Sequence, residues 1–130
     1  MKKKIYYHDT DCGGVVYYAN YLKFLEEART EFFSEKGFSI KELADSGTMF
    51  VVARQEIDYK ASAHYGDILE IKTRTSEISA VKIIFENEIF NQDGKLLTRA
   101  KTILVCVDEN LRPQAIPDAI RAQFLPVLNS

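Results

Sequence analysis

At 130 residues, with 46% hydrophobic and 28% charged residues of mixed sign, the chain has the size and composition of one domain around its own core. A formal net charge of −2 with no long run of one sign excludes the electrostatic footprint of a nucleic-acid binder. No uninterrupted apolar run exceeds five residues, which leaves no candidate for a bilayer-spanning helix or for the roughly 7–15-residue apolar stretch of an export signal after Met1-Lys2-Lys3-Lys4.

Residues 2–8 are aromatic and β-prone and are expected to form a strand. Gly13-Gly14 breaks the chain, and a helical pattern begins near Tyr18. At 3.6 residues per turn, Tyr21, Phe24, Leu25, Ala28 and Phe32 share one face, with Lys23, Glu27, Thr30, Glu31 and Ser34 opposite. Gly37 is the expected stop. Residues 39–45 read as a second, short helix in which Ser39 and Glu42 form a capping box, ended by Gly47.

From Thr48 the period falls to two: Met49, Val51, Ala53, Gln55, Ile57 and Tyr59 alternate with Phe50, Val52, Arg54, Glu56, Asp58 and Lys60. One face of that strand becomes fully charged in its second half. Further strands are expected at residues 67–77, 81–90 and 95–108, with a hairpin turn at Asn91-Gln92-Asp93-Gly94. Pro117 and Asp118 suit the first turn of a last helix over 117–124. Short links between consecutive strands require antiparallel pairing. The expected class is therefore α+β: one antiparallel sheet with a long buried helix on one face.

Chemistry concentrates in YYHDTDCGGVVYYANY, residues 6–21. Asp9-x-Asp11 with Gly14 imitates the front of a calcium loop, but Gly13 stands where an oxygen ligand is needed and Asn20 where the bidentate Glu belongs. His8, Asp9, Asp11 and Cys12 are too crowded for ordinary zinc spacing. Cys12 as a nucleophile would depend on His8 as its only nearby base. Cys12 and Cys106 are the only cysteines, a usage that fits a reduced, cytoplasmic protein without a disulfide. Asp11 read from residues alone is a turn or cap aspartate before glycines. Glu26 and Arg29, three apart, suit an ion pair. His64 sits in a polar loop and reads as a solvated side chain.

The run Tyr7-His8-Asp9-Thr10-Asp11-Cys12-Gly13-Gly14-Val15-Val16-Tyr17, followed by Asn20-Tyr21 and Glu26-Glu27-Ala28-Arg29, resembles the hot-dog-fold acyl-CoA thioesterases, in the branch of the YbgC-type and 4-hydroxybenzoyl-CoA enzymes. Tyr59 to Asp67 adds a weaker echo, and the likeness extends over essentially the whole chain. It implies a five-stranded sheet wrapped around the central helix and hydrolysis of an acyl-CoA, or an acyl-carrier protein thioester, without metal or cofactor. It places Asp11 at the family's active-site carboxylate, acting as general base or as nucleophile. It also points to the backbone N–H of Tyr18 as oxyanion donor, with Gly14 allowing close approach and Asn20 either ordering the helix start or touching substrate. Homodimers or homotetramers are implied, with the site between subunits. Tyr18 stands where many members carry histidine, Ser62 where proline is usual and Lys4 where arginine or glutamine is usual. A hot-dog hydratase using His8, and an acyl-CoA sensor that does no chemistry, are the alternatives.

Overall fold

The computed structural model describes residues 1–11 and 13–124. β1 (Lys2–Lys4) runs through a 3-10 turn (Tyr7–Asp9) and a loop into the long helix α1 (Asn20–Glu35) and the short α2 (Ile40–Asp45). Then come β2 (Met49–Tyr59), β3 (Ile68–Ile78), β4 (Lys82–Phe90), β5 (Leu96–Val107) and α3 (Asp118–Phe124). The strands form one antiparallel sheet in the order β1-β3-β4-β5-β2. The α+β architecture expected from the periodicities is the one adopted.

α1 buries Tyr21, Phe24, Leu25 and Ala28 as the 3.6 period requires. Phe33, rather than Phe32, completes the stripe at its far end, while Phe32 lies half-buried against Phe85 and Phe124. The inner face of the sheet and this helix enclose two apolar clusters. One gathers Ile5, Tyr21, Phe24, Leu25, Leu69, Ile71 and Ile89. The other gathers Phe33, Ile83, Phe85, Cys106, Ile120 and Phe124. Cys106 is a free, buried thiol, and Cys12 lies outside the described residues.

Four expectations need correction. The strand expected over residues 2–8 stops at Lys4, because the Asp9 carboxylate accepts the Tyr6 N–H at 3.0 Å and curls the chain into a 3-10 turn. In β2, a bulge between Val52 and Arg54 resets the alternation. Before it Phe50 faces the core, and after it Gln55, Ile57 and Tyr59 do, with Arg54, Glu56 and Asp58 outward. Glu26 and Arg29 make no ion pair: Glu26 stays in solvent, while Arg29 turns onto the sheet and donates to Thr102 Oγ1 at 3.4 Å. Of the capping box at α2, only the bond from the Glu42 N–H to Ser39 Oγ forms, at 3.2 Å.

Candidate active site

Asp9 organises the loop that precedes α1. Its carboxylate, 7% exposed as a residue, closes the 3-10 turn, and its carbonyl oxygen accepts from the Tyr17 N–H at 3.2 Å and the Asn20 side-chain amide at 2.8 Å. Asn20 thus ties the first turn of the helix to the turn before it. His8 stacks on Tyr6, and its exposed ring lies 3.5 Å from the Asp9 carboxylate.

Two residues on, Asp11 sits in the opposite environment. Thr10 pairs with Val16, and the Asp11 N–H donates to the Val15 carbonyl at 3.0 Å, making a tight hairpin. Asp11 stands exposed near its tip. The carboxylate Oδ1 accepts the Gly13 N–H at 2.9 Å, which orients the group; among the described residues its other oxygen meets no donor. Gly14 adopts φ +77°, a conformation costly for a side-chain-bearing residue. Its N–H donates to the Asp11 carbonyl and its carbonyl accepts from the Tyr65 N–H, so both polar groups are used within the loop. Gly14 therefore contributes the turn and close approach, not a free donor.

A second loop, residues 60–67, braces the first. The Val16 N–H donates to the Ala63 carbonyl at 2.9 Å, and the Ala63 N–H donates to the Tyr21 hydroxyl at 3.0 Å. Asp67 accepts from the His64 N–H at 2.9 Å and from the Gln92 amide at 3.1 Å, holding the loop in which Ser62 replaces the usual proline. The His64 ring is exposed, as expected.

Between the hairpin and α1, Tyr18 begins the helical turn. Among the described residues its backbone N–H meets no backbone or side-chain acceptor, whereas its carbonyl accepts from the Tyr21 N–H at 3.3 Å and from the Tyr59 hydroxyl at 3.2 Å. Its ring is exposed, tilted against Tyr17 and edge-on to Tyr59. The neighbouring Tyr18 hydroxyl pushes the Tyr17 phenol above its ordinary value, and burial does the same to Tyr21 and Tyr59. Asp11, Gly14, Tyr18 and Asn20 thus belong to one stitched loop and helix start. The residues that brace it, Asp9 and Tyr59, are ones the motif did not single out. Asp9 could have been found as the first aspartate of a turn; Tyr59 lay opposite the charged face and opened the weaker echo, but the bond it makes gave no signal, because its partner is a distant backbone carbonyl.

A five-stranded antiparallel sheet over one long helix, with the polar loop at the helix start, defines a hot-dog-fold protein. The sequence profile of the Thioesterase-like superfamily matches residues 6–124. The acyl-CoA thioester hydrolase YbgC of Escherichia coli O6:H1 is 39% identical over 122 residues, covering 93% of this chain and 91% of that protein. A DHNA-CoA thioesterase from Staphylococcus aureus superposes with a TM-score of 0.89 at 30% identity, covering 94% of this chain and 85% of the other. Slr0204, a 1,4-dihydroxy-2-naphthoyl-CoA thioesterase from Synechocystis, gives a TM-score of 0.90 at 25% identity, covering 100% of this chain and 97% of the other. The chain belongs to the Thioesterase-like superfamily and is a thioester hydrolase.

Proposed function

We propose that this chain hydrolyses an acyl-CoA thioester, water and thioester giving a carboxylic acid and free CoA, with Asp11 as the working carboxylate. The observation that carries this reading is the split between two neighbouring aspartates: Asp9 is buried and committed to the turn, while Asp11 is exposed, with one oxygen that meets no donor among the described residues. An open carboxylate can take a proton from water as it attacks the thioester carbon, after which the C–S bond breaks and the CoA thiolate leaves with that proton. Or it can attack the carbon itself, expelling the thiolate and leaving an acyl-aspartyl anhydride that water hydrolyses. Either route puts negative charge on the carbonyl oxygen. The Tyr18 N–H, just before α1 and without an acceptor among the described residues, is the donor suited to it. Asn20 acts in this reading as a strut, through its bond to the Asp9 carbonyl. An acyl-carrier protein is a second thiol carrier the same chemistry would accept. The hydratase alternative gains little from His8, whose acidic neighbour already serves the Tyr6 N–H.

The working unit we propose is a homodimer, itself able to pair into a homotetramer. β2 is an eleven-residue strand at the sheet edge with Val51 and Val52 exposed, and long apolar edges invite a second strand. Pairing β2 with its copy would continue the sheet across a two-fold axis. The reduced thiol of Cys106 suits the cytoplasm.

Asp11→Asn tests the assignment, with thiol release read across a panel of aryl- and alkyl-CoA thioesters. Loss of the charge should lower kcat at least about 100-fold while KM and thermal stability change little. Near-wild-type hydrolysis by that variant would overturn the role of Asp11. Asp9→Asn is a probe of loop stability rather than a neutral control, given the buried bond it would weaken.

A further inference from the structure

Tyr59 is the last residue of β2, and the bulge between Val52 and Arg54 turns it toward the helix rather than outward. Its ring stands edge-on to Tyr21, with centroids 5.5 Å apart, and to Tyr18 at 6.2 Å. From there its hydroxyl donates to the Tyr18 carbonyl at 3.2 Å, across 41 residues of sequence.

That bond sits at a sensitive place. The Tyr17–Tyr18 peptide carries the N–H that meets no acceptor among the described residues; its own carbonyl accepts from the Asn20 N–H at 2.9 Å, and the chain is anchored on both sides of it. Upstream, the Tyr17 N–H is held by the Asp9 carbonyl at 3.2 Å. Downstream, the Tyr18 carbonyl has only a long bond from its own helical turn, at 3.3 Å, besides the one from Tyr59. Among the described residues, Tyr59 is thus the side-chain anchor that ties the next peptide, Tyr18–Ala19, to a long strand of the sheet, and so fixes the Tyr18 backbone from its far side. A donor at a developing oxyanion is effective only if its direction is fixed beforehand, since reorienting it during reaction costs much of the gain.

We propose that Tyr59 is a positioning residue for the thioester hydrolysis, holding the turn at Tyr18 so that its N–H faces the carbonyl oxygen as charge develops. The inference rests on the reading that the Tyr18 N–H is the oxyanion donor. Tyr59 touches neither the thioester nor Asp11 in this scheme; it acts through the Tyr18 carbonyl, one peptide beyond the N–H it helps to aim. Because it lies on the strand edge assigned to the subunit contact, it also links that edge to the site.

Tyr59→Phe keeps the ring and its edge-on contacts and removes only the hydroxyl. The test compares wild type, Tyr59→Phe and Asp11→Asn in steady-state thiol release, with binding of two CoA derivatives. One is a trifluoromethyl ketone, whose tetrahedral adduct carries an oxyanion; the other is a thioether, which has no carbonyl oxygen. Losing an oxyanion donor outright lowers kcat by about 10²–10³-fold, so a donor that is present but loosely aimed should lose about tenfold. The expected result for Tyr59→Phe is that drop in kcat, KM within about twofold, a matching loss of ketone affinity and unchanged thioether affinity. Unchanged kcat, a rise in KM alone, or equal losses for ketone and thioether would each overturn the inference. If Asp11→Asn is crippled while Tyr59→Phe is silent, only this inference fails. If Asp11→Asn is active, the assignment of the working carboxylate fails whatever Tyr59 does.

Discussion

The two ends of the molecule use aromatic side chains in different ways. All seven tyrosines lie at the end that holds the loop before α1: Tyr6, Tyr7, Tyr17 and Tyr18 in the loop, Tyr21 in the first helical turn, and Tyr59 and Tyr65 from the strand and loop beside it. Six of the eight phenylalanines lie at the other end, where Phe33, Phe85 and Phe124 are fully buried and Phe32, Phe38 and Phe50 pack around them. A tyrosine offers a ring and a polar handle, and two of the handles here hold backbone: Tyr21 accepts the Ala63 N–H and Tyr59 donates to the Tyr18 carbonyl. A phenylalanine offers only packing, and the far cluster is a set of tilted and edge-on rings with centroids as close as 4.6 Å. Between the two lies a polar layer, where Arg29 donates to Thr102, Thr102 to Gln55 and Asn87 to Thr73. One end holds irregular chain in place while leaving its rings exposed for contact; the other supplies stability.

That division predicts separable losses. Phe33→Ala should cost the most stability, about 3–5 kcal/mol, because a fully buried ring in contact with three others leaves a cavity the sheet cannot close. Chemical denaturation measures the loss. The folded fraction should keep its kcat and KM, since no residue of the loop changes. A Phe33→Ala protein that folds well but hydrolyses poorly would show that the two ends are not independent.

Tyr21→Phe is the counterpart at the other end and should cost less, about 1–3 kcal/mol. The ring still fills its place against Phe24 and Tyr59, but the buried Ala63 N–H loses its acceptor. Hydrogen exchange at Ala63 and its neighbours should quicken while amides in β4 and β5 hold their protection. A uniform change across the sheet would argue against a locally held loop.

Periodicity made α1, the four long strands and the α+β class legible, because one-sided burial imposes a 3.6 or a 2.0 repeat on any sequence that achieves it. What it missed has local causes. The aromatic, β-prone residues 5–8 promised strand, and a single carboxylate, that of Asp9, bent them into a turn. The alternation from Met49 to Tyr59 looked continuous, since Ala53 can be inserted without breaking a pattern of small and apolar residues. Asp11 was not legible from its own chemistry: its Asx-type bond to the Gly13 N–H is what any turn aspartate makes. Only the resemblance of the whole motif separated it from Asp9. The face and the echo marked Tyr59, but its bond was not legible, because the partner is 41 residues away and lies on the backbone, which leaves no mark on side-chain choice.

The smallest expected effect is in alkali, and it touches both ends at different pH. Burial raises the Cys106 thiol above its ordinary 9.0 and the Tyr21 phenol above its ordinary 10.0. In each case the folded chain keeps its proton at a pH where the unfolded chain has released it. The native state then binds more protons, so stability falls as pH rises. Well below about pH 8 neither group contributes slope. The decline should begin as pH approaches about 9, where the unfolded thiol ionises, and steepen as it approaches about 10, where the unfolded phenol does. Cys106→Ala should remove the early part of the decline and leave the later part, while Tyr21→Phe should keep the early part and make the later part shallower, since Tyr17 and Tyr59 are raised as well. Phe33→Ala, which removes no titrating group, should lower the whole curve without changing its shape. Denaturation midpoints between pH 8 and 11 for the four proteins separate these outcomes. Identical slopes for the parent and Tyr21→Phe above pH 10 would mean that the Tyr21 hydroxyl ionises as freely in the folded chain as in the unfolded one, and that the loop opens there without global unfolding.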